Sequence, residues 1–417
     1  MITVTKERHP QVQDEKVQSR QPATVTNPTY ASATGLTLLE LRASPQASQM
    51  WRSEDNGRSW ALADQIPPPE RLADGTYAKR AYGPLLLDPD CNRLIRFQGE
   101  TRFRSDPAAI RSYQEHKDAF IPDSFRWFYQ VSRDGGRSWD KLRQFIEAGR
   151  EFNETHWARD VVWLESSAVL GEPPPFHKLP DGRLVIPCQV RTAAEVKTYG
   201  TIQAGRFYGR WRDDGDIAWS SGGRVYGGGC EQTTAILNDG RILNILRAQG
   251  QIQPYPLNPW LRPYSLSDDN DGGQNWSAPK PLSYDDGSGL TSPRAWSQLI
   301  RSTKNGRLYW IANILPALEQ SGELRAKYPY RADPRHPLQI VEVDEATVTL
   351  KRRTLTVIED RQPGETHWVR FSNFFAYNDR QTGDIVLLMQ KSYCELQENL
   401  EQQPHPSLRY RISVPAG

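Results

Sequence analysis

Two carboxylates stand at matching places in this chain. Glu172 lies nine residues before Asp181, which opens an Asp-Gly-Arg turn, and Glu231 lies eight before Asp239, which opens another. Carboxylates on neighbouring repeats of a fold can flank one glycosidic bond and share the work of acid, base and nucleophile. Three arginines accompany them: Arg20 in Arg20-Gln-Pro22, Arg247 closing Leu243-Asn-Ile-Leu-Arg247, and Arg335 in Pro334-Arg335-His336-Pro337. A guanidinium is a planar fork that holds both oxygens of a carboxylate, so three of them suit an acidic ligand if the fold gathers them at one point. His177, between Glu172 and Asp181, and Trp260, in the Pro-rich run Pro254-Tyr-Pro-Leu-Asn-Pro-Trp260-Leu-Arg262-Pro-Tyr264, are further candidates for substrate contact. Trp260 and Tyr264 either form a sugar-stacking platform or cap the sheet beside them.

The elements that must position these groups are repeated. Ser53-Glu-Asp55-Asn-Gly57-Arg-Ser-Trp60 and Ser132-Arg-Asp134-Gly-Gly136-Arg-Ser-Trp139 are nearly identical, and Asp269-Asn-Asp271-Gly-Gly273-Gln-Asn-Trp276 keeps Asp, Gly and Trp at the same offsets. A fourth, Arg212 to Trp219, keeps only Asp214 and the Trp. Such an Asp box reads as a hairpin turn: Asp accepts from neighbouring backbone N–H groups, Gly takes the positive φ, and Trp packs on the sheet. Between these boxes lie runs that begin with a turn and continue as a buried strand, at Gly35, Asn92, Asp181, Asp239, Asn305 and Gly383. Six units in 417 residues give about 70 residues each. Four short strands per unit, six times over, predict an all-β chain folded as a six-bladed β-propeller with four-stranded antiparallel blades.

Residues 1–417 are therefore expected to form a single propeller domain, with about 1–18 as an N-terminal extension and about 104–120 as an inserted segment whose run 106–117 reads as a short helix. The innermost strand of each blade precedes the Asp-Gly type turn, so Glu172 and Glu231 fall on strands lining the channel. Glu154-Thr155-His156-Trp157 recurs as Glu365-Thr366-His367-Trp368, each ahead of an inner strand. Either the Trp packs between blades, or the His stands at the mouth as a general base of the kind a lyase needs.

Composition narrows the function. A net charge of +2 gives no global field for nucleic acid or an anionic membrane, so neither is expected as a partner. The polar start, Met1 to Lys16, is no secretory signal, and no run nears the ~18 apolar residues of a membrane span. The expectation is a cytoplasmic or a truncated chain. Cys91, Cys188, Cys230 and Cys394 are widely spaced, without a Cys-x-x-Cys pair, and His-Glu-x-x-His, Walker and Gly-x-Gly-x-x-Gly motifs are lacking. No metal and no cofactor are expected.

These features together resemble the sialidase (neuraminidase) superfamily of Asp-box propellers. The resemblance runs from about residue 20 to 388, and it includes Arg20-Gln-Pro22, which looks like the Arg-Ile-Pro start of sialidases, and the segment from Glu231 to Arg247. It implies that Glu231 matches the Glu that polarises a tyrosine nucleophile, and that Arg20, Arg247 and Arg335 match the triad holding the sugar carboxylate. The chain departs from the family where the nucleophile belongs: Phe371 occupies the expected Tyr position in Trp368-Val-Arg370-Phe371-Ser372, leaving Tyr377 and Tyr393 as nearby hydroxyls. Leu41-Arg42-Ala43-Ser44 stands where the family carries an Asp. Glu172-Pro173 resembles the Glu-Pro element of exo-arabinanases, propellers that work with two Glu residues.

The expectation is thus an exo-acting glycoside hydrolase on an oligosaccharide or glycoconjugate bearing an acidic sugar. Arg20, Arg247 and Arg335 would hold the carboxylate, with His177 and Trp260 beside the substrate, and Glu231 and Glu172 would do acid/base and nucleophilic work in unassigned order. The alternatives are a polysaccharide lyase acting on uronates and a non-catalytic glycan-binding propeller.

Overall fold

Six tight turns feed six buried strands, and in the computed structural model those strands are the second strands of six sheets. The structure describes residues 1–7, 24–25, 28–43, 48–110, 113–121, 125–163, 166–170, 177–192, 194, 197, 202–226, 229–247, 260–267, 273–315, 334–393 and 406–417. Blade I runs outward from Thr24–Val25 and Thr29–Tyr30 through Leu38–Ala43 and Ser48–Ser53 to Ala61–Gln65. Blade II is Tyr77–Asp88, Arg93–Phe103, Arg126–Ser132 and Arg143–Gln144, with Glu70–Arg71 added on its inner edge. Blade III is Ser166–Leu170 with His177–Lys178, then Leu184–Thr192, Gln203–Trp211 and Ile217–Ser221.

Blade IV is Cys230–Ile236, Ile242–Arg247, Pro263–Leu266 and Lys280–Pro281. Blade V is Gln298–Arg301, Leu308–Asn313 and Leu338–Asp344, flanked by Thr349–Leu350 and Thr356–Glu359. Blade VI is Val369–Phe371 with Phe375–Asn378, then Ile385–Tyr393 and Ser407–Ser413. Its outermost strand comes from the other end of the chain: Thr3–Glu7 pairs antiparallel with Ser413 to Arg409. The segment expected as an N-terminal extension therefore contributes a strand that closes the ring. A short α-helix, Tyr113–Ala119, lies in the segment 104–120 between the second and third strands of blade II.

A propeller has no central core, and the apolar side chains obey that constraint by collecting between blades. Separate clusters fill the interfaces I–II, II–III, III–IV, IV–V, V–VI and VI–I. The largest side chains sit here; Phe145 stacks on Trp219 at 4.5 Å between centroids in the II–III interface.

The repeated turns behave as their residues dictate. Asp55 accepts from the backbone N–H groups of Arg58 (3.0 Å) and Ser59 (2.8 Å) and from the Ser59 hydroxyl (2.6 Å), which pulls its pKa down to about 2. Asp134 makes the same set with Arg137 and Ser138. Gly57 supplies the left-handed φ of 82° that a side chain would resist. Trp276 keeps its bond to the Gly273 carbonyl, while Asp269 and Asp271 of that turn lie outside the described residues. The fourth turn differs: among the described residues Asp214 accepts only from Asp216 N, and Trp219 turns inward to the II–III cluster, so residues 212–219 form a plain hairpin.

Candidate active site

The tight turns between first and second strands and the Asp-to-Trp turns share one end of the ring, so the inner strands begin at the opposite end, the mouth. Near the mouth the inner strands are interrupted: by a register shift between Tyr82 and Leu85 in blade II, by another between Cys230 and Thr233 in blade IV, and by residues 372–374 in blade VI. An interrupted strand re-aims its side chains, which is why such irregularities recur beside functional sites. Glu231 sits in the blade IV interruption with a φ of 42°. Its carboxylate pairs with Nη1 of Arg247, the last residue of the adjacent strand, opposite Cys230. Both side chains keep contact with solvent, 23% exposed for Glu231 and 20% for Arg247.

The pair rests on a buried cation. Arg262, 1% exposed, donates to the Pro293 carbonyl at 2.9 Å, the Ala295 carbonyl at 3.1 Å, the Leu246 carbonyl at 3.4 Å and the Ser292 hydroxyl at 2.9 Å. It thereby fixes the residue before Arg247 to the loop that leads into blade V. Burial first, and the charge of Arg247 second, push the Arg262 pKa down to about 9. Arg335 borders the same loop from the other side, donating to the Arg294 carbonyl and to Ser372 Oγ, both at 3.4 Å. Its backbone bridges to Arg370, and its carbonyl accepts from Phe371 N at 2.9 Å. Leu246, next to Arg247, and Arg335 are thus tied to one loop, the first through Arg262 and the second directly.

Strand alternation settles what Phe371 does. Val369 and Phe371 point into the V–VI cluster, Phe371 being 2% exposed, and Arg370 between them faces the other way, half-buried. Tyr377 is buried lower down, edge-on to Tyr30, and burial drives its hydroxyl pKa far up. Tyr393 donates to Glu365 at 3.4 Å, and Lys391 is ion-paired with the same carboxylate.

No protein-family model and no curated protein sequence matches the chain. Solved structures do. The NanB sialidase from Streptococcus pneumoniae, solved with 2-[(3-chlorobenzyl)ammonio]ethanesulfonate, aligns over 97% of this chain and 70% of its own, at 13% identity and a TM-score of 0.58. The intramolecular trans-sialidase from Ruminococcus gnavus aligns over 93% of this chain and 94% of its own, at 14% identity and 0.52. A Hadza microbial sialidase, Hz136, aligns over 88% of this chain at 13% identity and 0.53, and the chain spans 63% of its length. The fold is that of the sialidase propellers.

On that sialidase-type ring the remaining candidates separate. Glu172 and Arg20 lie outside the described residues. His177 is not at the mouth: its strand, His177–Lys178, runs into the turn at Asp181, and its Nε2 bonds the Thr234 carbonyl at 2.7 Å across to blade IV. Burial lowers its pKa to about 4, so it is a neutral cross-link between inner strands. Trp260, 2% exposed, has no free face for a sugar; its carbonyl accepts from Ser292 N at 2.8 Å, and it caps the blade. Trp157 is likewise buried between blades, and His156 stacks on Phe152, whereas His367 is exposed against Trp368.

Sequence reasoning passed over Arg262 and Arg370. Arg262 carries a weak signal, a cation in an otherwise apolar and Pro-rich run. Arg370 was hidden by a register in which the aromatic beside it drew attention.

Proposed function

We propose that the chain is a propeller glycosidase that acts on a terminal acidic sugar, with Glu231 as the acid/base group and Arg247 and Arg335 holding the sugar carboxylate. The observation that carries this reading is the Glu231–Arg247 pair, set in left-handed backbone at the strand interruption and open to solvent at the mouth. Residues kept in sparsely populated backbone conformations cluster where function over-determines them. Arg247 donates through Nη1 to Glu231, and Nη2 has no partner among the described residues, so Nη2 can donate to a substrate oxygen without breaking the pair. A carboxylate beside a cation at a water-accessible mouth can give a proton to a leaving oxygen or take one from water.

A non-catalytic glycan-binding propeller is the second reading, favoured by Phe371: its ring belongs to the interblade core, so no hydroxyl stands at that strand position. One screen separates the two. Sialyl, uronyl and arabinosyl glycans are offered to wild type and Glu231→Gln, with reducing-end release, ultraviolet absorbance and binding all recorded. The glycosidase reading expects release of reducing sugar by wild type and its loss in Glu231→Gln. New absorbance would point to a lyase, and binding without product to the second reading. Equal turnover by both proteins would remove Glu231 from the chemistry.

A further inference from the structure

Blade II is taller than its neighbour. Its first two strands run 12 and 11 residues, against 6 for the second strand of blade I. Counted from the first residue after each turn, Arg93 and Leu38, the second strand of blade I ends at Ala43, while Glu100 and Arg102 lie two and four residues higher on theirs, roughly 7 and 13 Å at strand rise. In this raised part Arg80 is opposite Glu100 and Glu100 opposite Arg126, so these three share one face with Arg102. It is the same face from which Arg96, lower down, reaches Asp64 of blade I. Glu100 meets Arg80 at 3.1 Å and Arg102 at 2.8 Å; Arg126 lies over the Trp163 ring at 4.4 Å, and Arg102 at 5.5 Å.

Three guanidiniums meet one buried carboxylate here, and the other carboxylates that act on them, Glu154 on Arg126 and Asp74 on Arg102, are exposed to solvent, which screens them. Arg102 is 8% exposed. Burial, then the charge of Arg102, lowers the pKa of Arg126. Hydrogen bonding is unbalanced in the same sense: among the described residues three buried donors, Arg102 Nε, Arg126 Nε and Trp163 Nε1, lack a partner, against one buried acceptor, Glu100 Oε1. Buried donors are ordinarily paired, and exceptions call for a reason. A group that offers acceptors only and carries negative charge would satisfy the donors and balance the guanidiniums together.

We propose that this face of blade II is a second site on the rim, which takes the carboxylate of a uronate unit in an acidic glycan chain. The class of ligand rests on the acidic-sugar reading given above, but the residues are distinct from Glu231, Arg247 and Arg335.

The test is titration of polygalacturonate, monomeric galacturonate and dextran into wild type, Arg80→Gln, Arg126→Gln, Glu100→Gln and Arg247→Ala, with folding checked by circular dichroism. Wild type is expected to bind polygalacturonate and not dextran, more weakly as salt rises. Arg80→Gln and Arg126→Gln should each weaken polymer binding at least tenfold and leave monomer binding at the wild-type value. Glu100→Gln should tighten polymer binding, the opposite of what a merely structural carboxylate would do. Folded Arg80→Gln and Arg126→Gln that bind polymer like wild type would overturn the proposal, as would wild type failing to bind polymer at low salt or binding dextran equally. Arg247→Ala distinguishes the two readings: if it binds both acids like wild type, the mouth reading fails and the blade II site stands.

Discussion

Glu231 offers a test in which the sign of a stability difference decides the matter. An L-residue in left-handed backbone costs roughly 1–2 kcal/mol, whereas Gly adopts that conformation freely. Glu231 is held at a φ of 42° because its neighbours are fixed: Cys230 pairs with Arg247, and Gln232 Nε2 reaches the carbonyls of Cys188 (2.7 Å) and Gly205 (2.5 Å) in blade III. Glu231→Ala and Glu231→Gly remove the same carboxylate and orphan the same Arg247, so those losses cancel between them. What remains is relief of strain in the Gly variant, less the ~0.4–1 kcal/mol by which Gly raises the entropy of the unfolded chain. The Gly variant should therefore be the more stable by roughly 0.5 kcal/mol, and by as much as about 1.5. At an ordinary extended position the order reverses, with Ala ahead by roughly 0.5–1 kcal/mol. Urea midpoints compared at equal slope read the difference directly. A Glu231→Ala protein more stable than Glu231→Gly would refute the claim that this residue is strained, and with it the structural reason for singling out Glu231.

Other perturbations follow from the same geometry. His177 is neutral in the fold down to about pH 4, against 6.5 for a free imidazole, so the unfolded chain takes up its proton first as pH falls; stability is lost from about pH 6.5 downward, by about 2 kcal/mol between pH 7.5 and 5. Urea titrations should show that loss to be absent in His177→Gln, whose amide can also donate to Thr234, and an unchanged pH slope would contradict the assignment. Deleting residues 1–7 removes the outer strand of blade VI with the bonds of Glu7 to Arg409 (2.9 Å) and Arg411 (2.7 Å), and with buried Ile2; a loss of at least about 2 kcal/mol is expected from the isoleucine alone, seen as a lowered urea midpoint. Arg262→Met leaves the Pro293 and Ala295 carbonyls without their donor, which should destabilise by about 2–4 kcal/mol and weaken acidic-sugar binding at Arg247, measured by calorimetry.

The fold was legible because its signals are local. An Asp five residues before a Trp with Gly between specifies hydrogen bonds within one turn, and Asp55 and Asp134 make them almost identically. The six strand-opening turns are equally self-contained, and counting them gives the blade number without any long-range information. Strand Thr3–Glu7 was not legible, since the short alternation of Ile2 and Val4 with polar residues names no partner some 400 residues away. Residues 212–219 misled for the opposite reason: the spacing of Asp and Trp survives, but Trp219 had a deeper place to go.

The site was legible only in part, because a propeller's chemistry depends on which way each inner-strand residue points at the mouth. For Glu231 and Arg247 the spacing sufficed, since sixteen residues of strand, turn and strand return the chain to the same height on the adjacent strand. For His177 the same reasoning placed it on an inner strand but could not tell the mouth half from the turn half; the distance to Asp181 decides it, three residues past the end of His177–Lys178. Phe371 and Arg370 show the sharper limit. One step of register exchanges which of them meets the channel and which the core, and both assignments are chemically sensible when read from sequence. The hydrophobic demand of the V–VI interface breaks the tie: it has a place for a phenyl ring and none for a guanidinium, so Arg370 is turned out and adds a cation beside Arg335. The mouth gains positive charge for the same reason that it lacks a hydroxyl at this position.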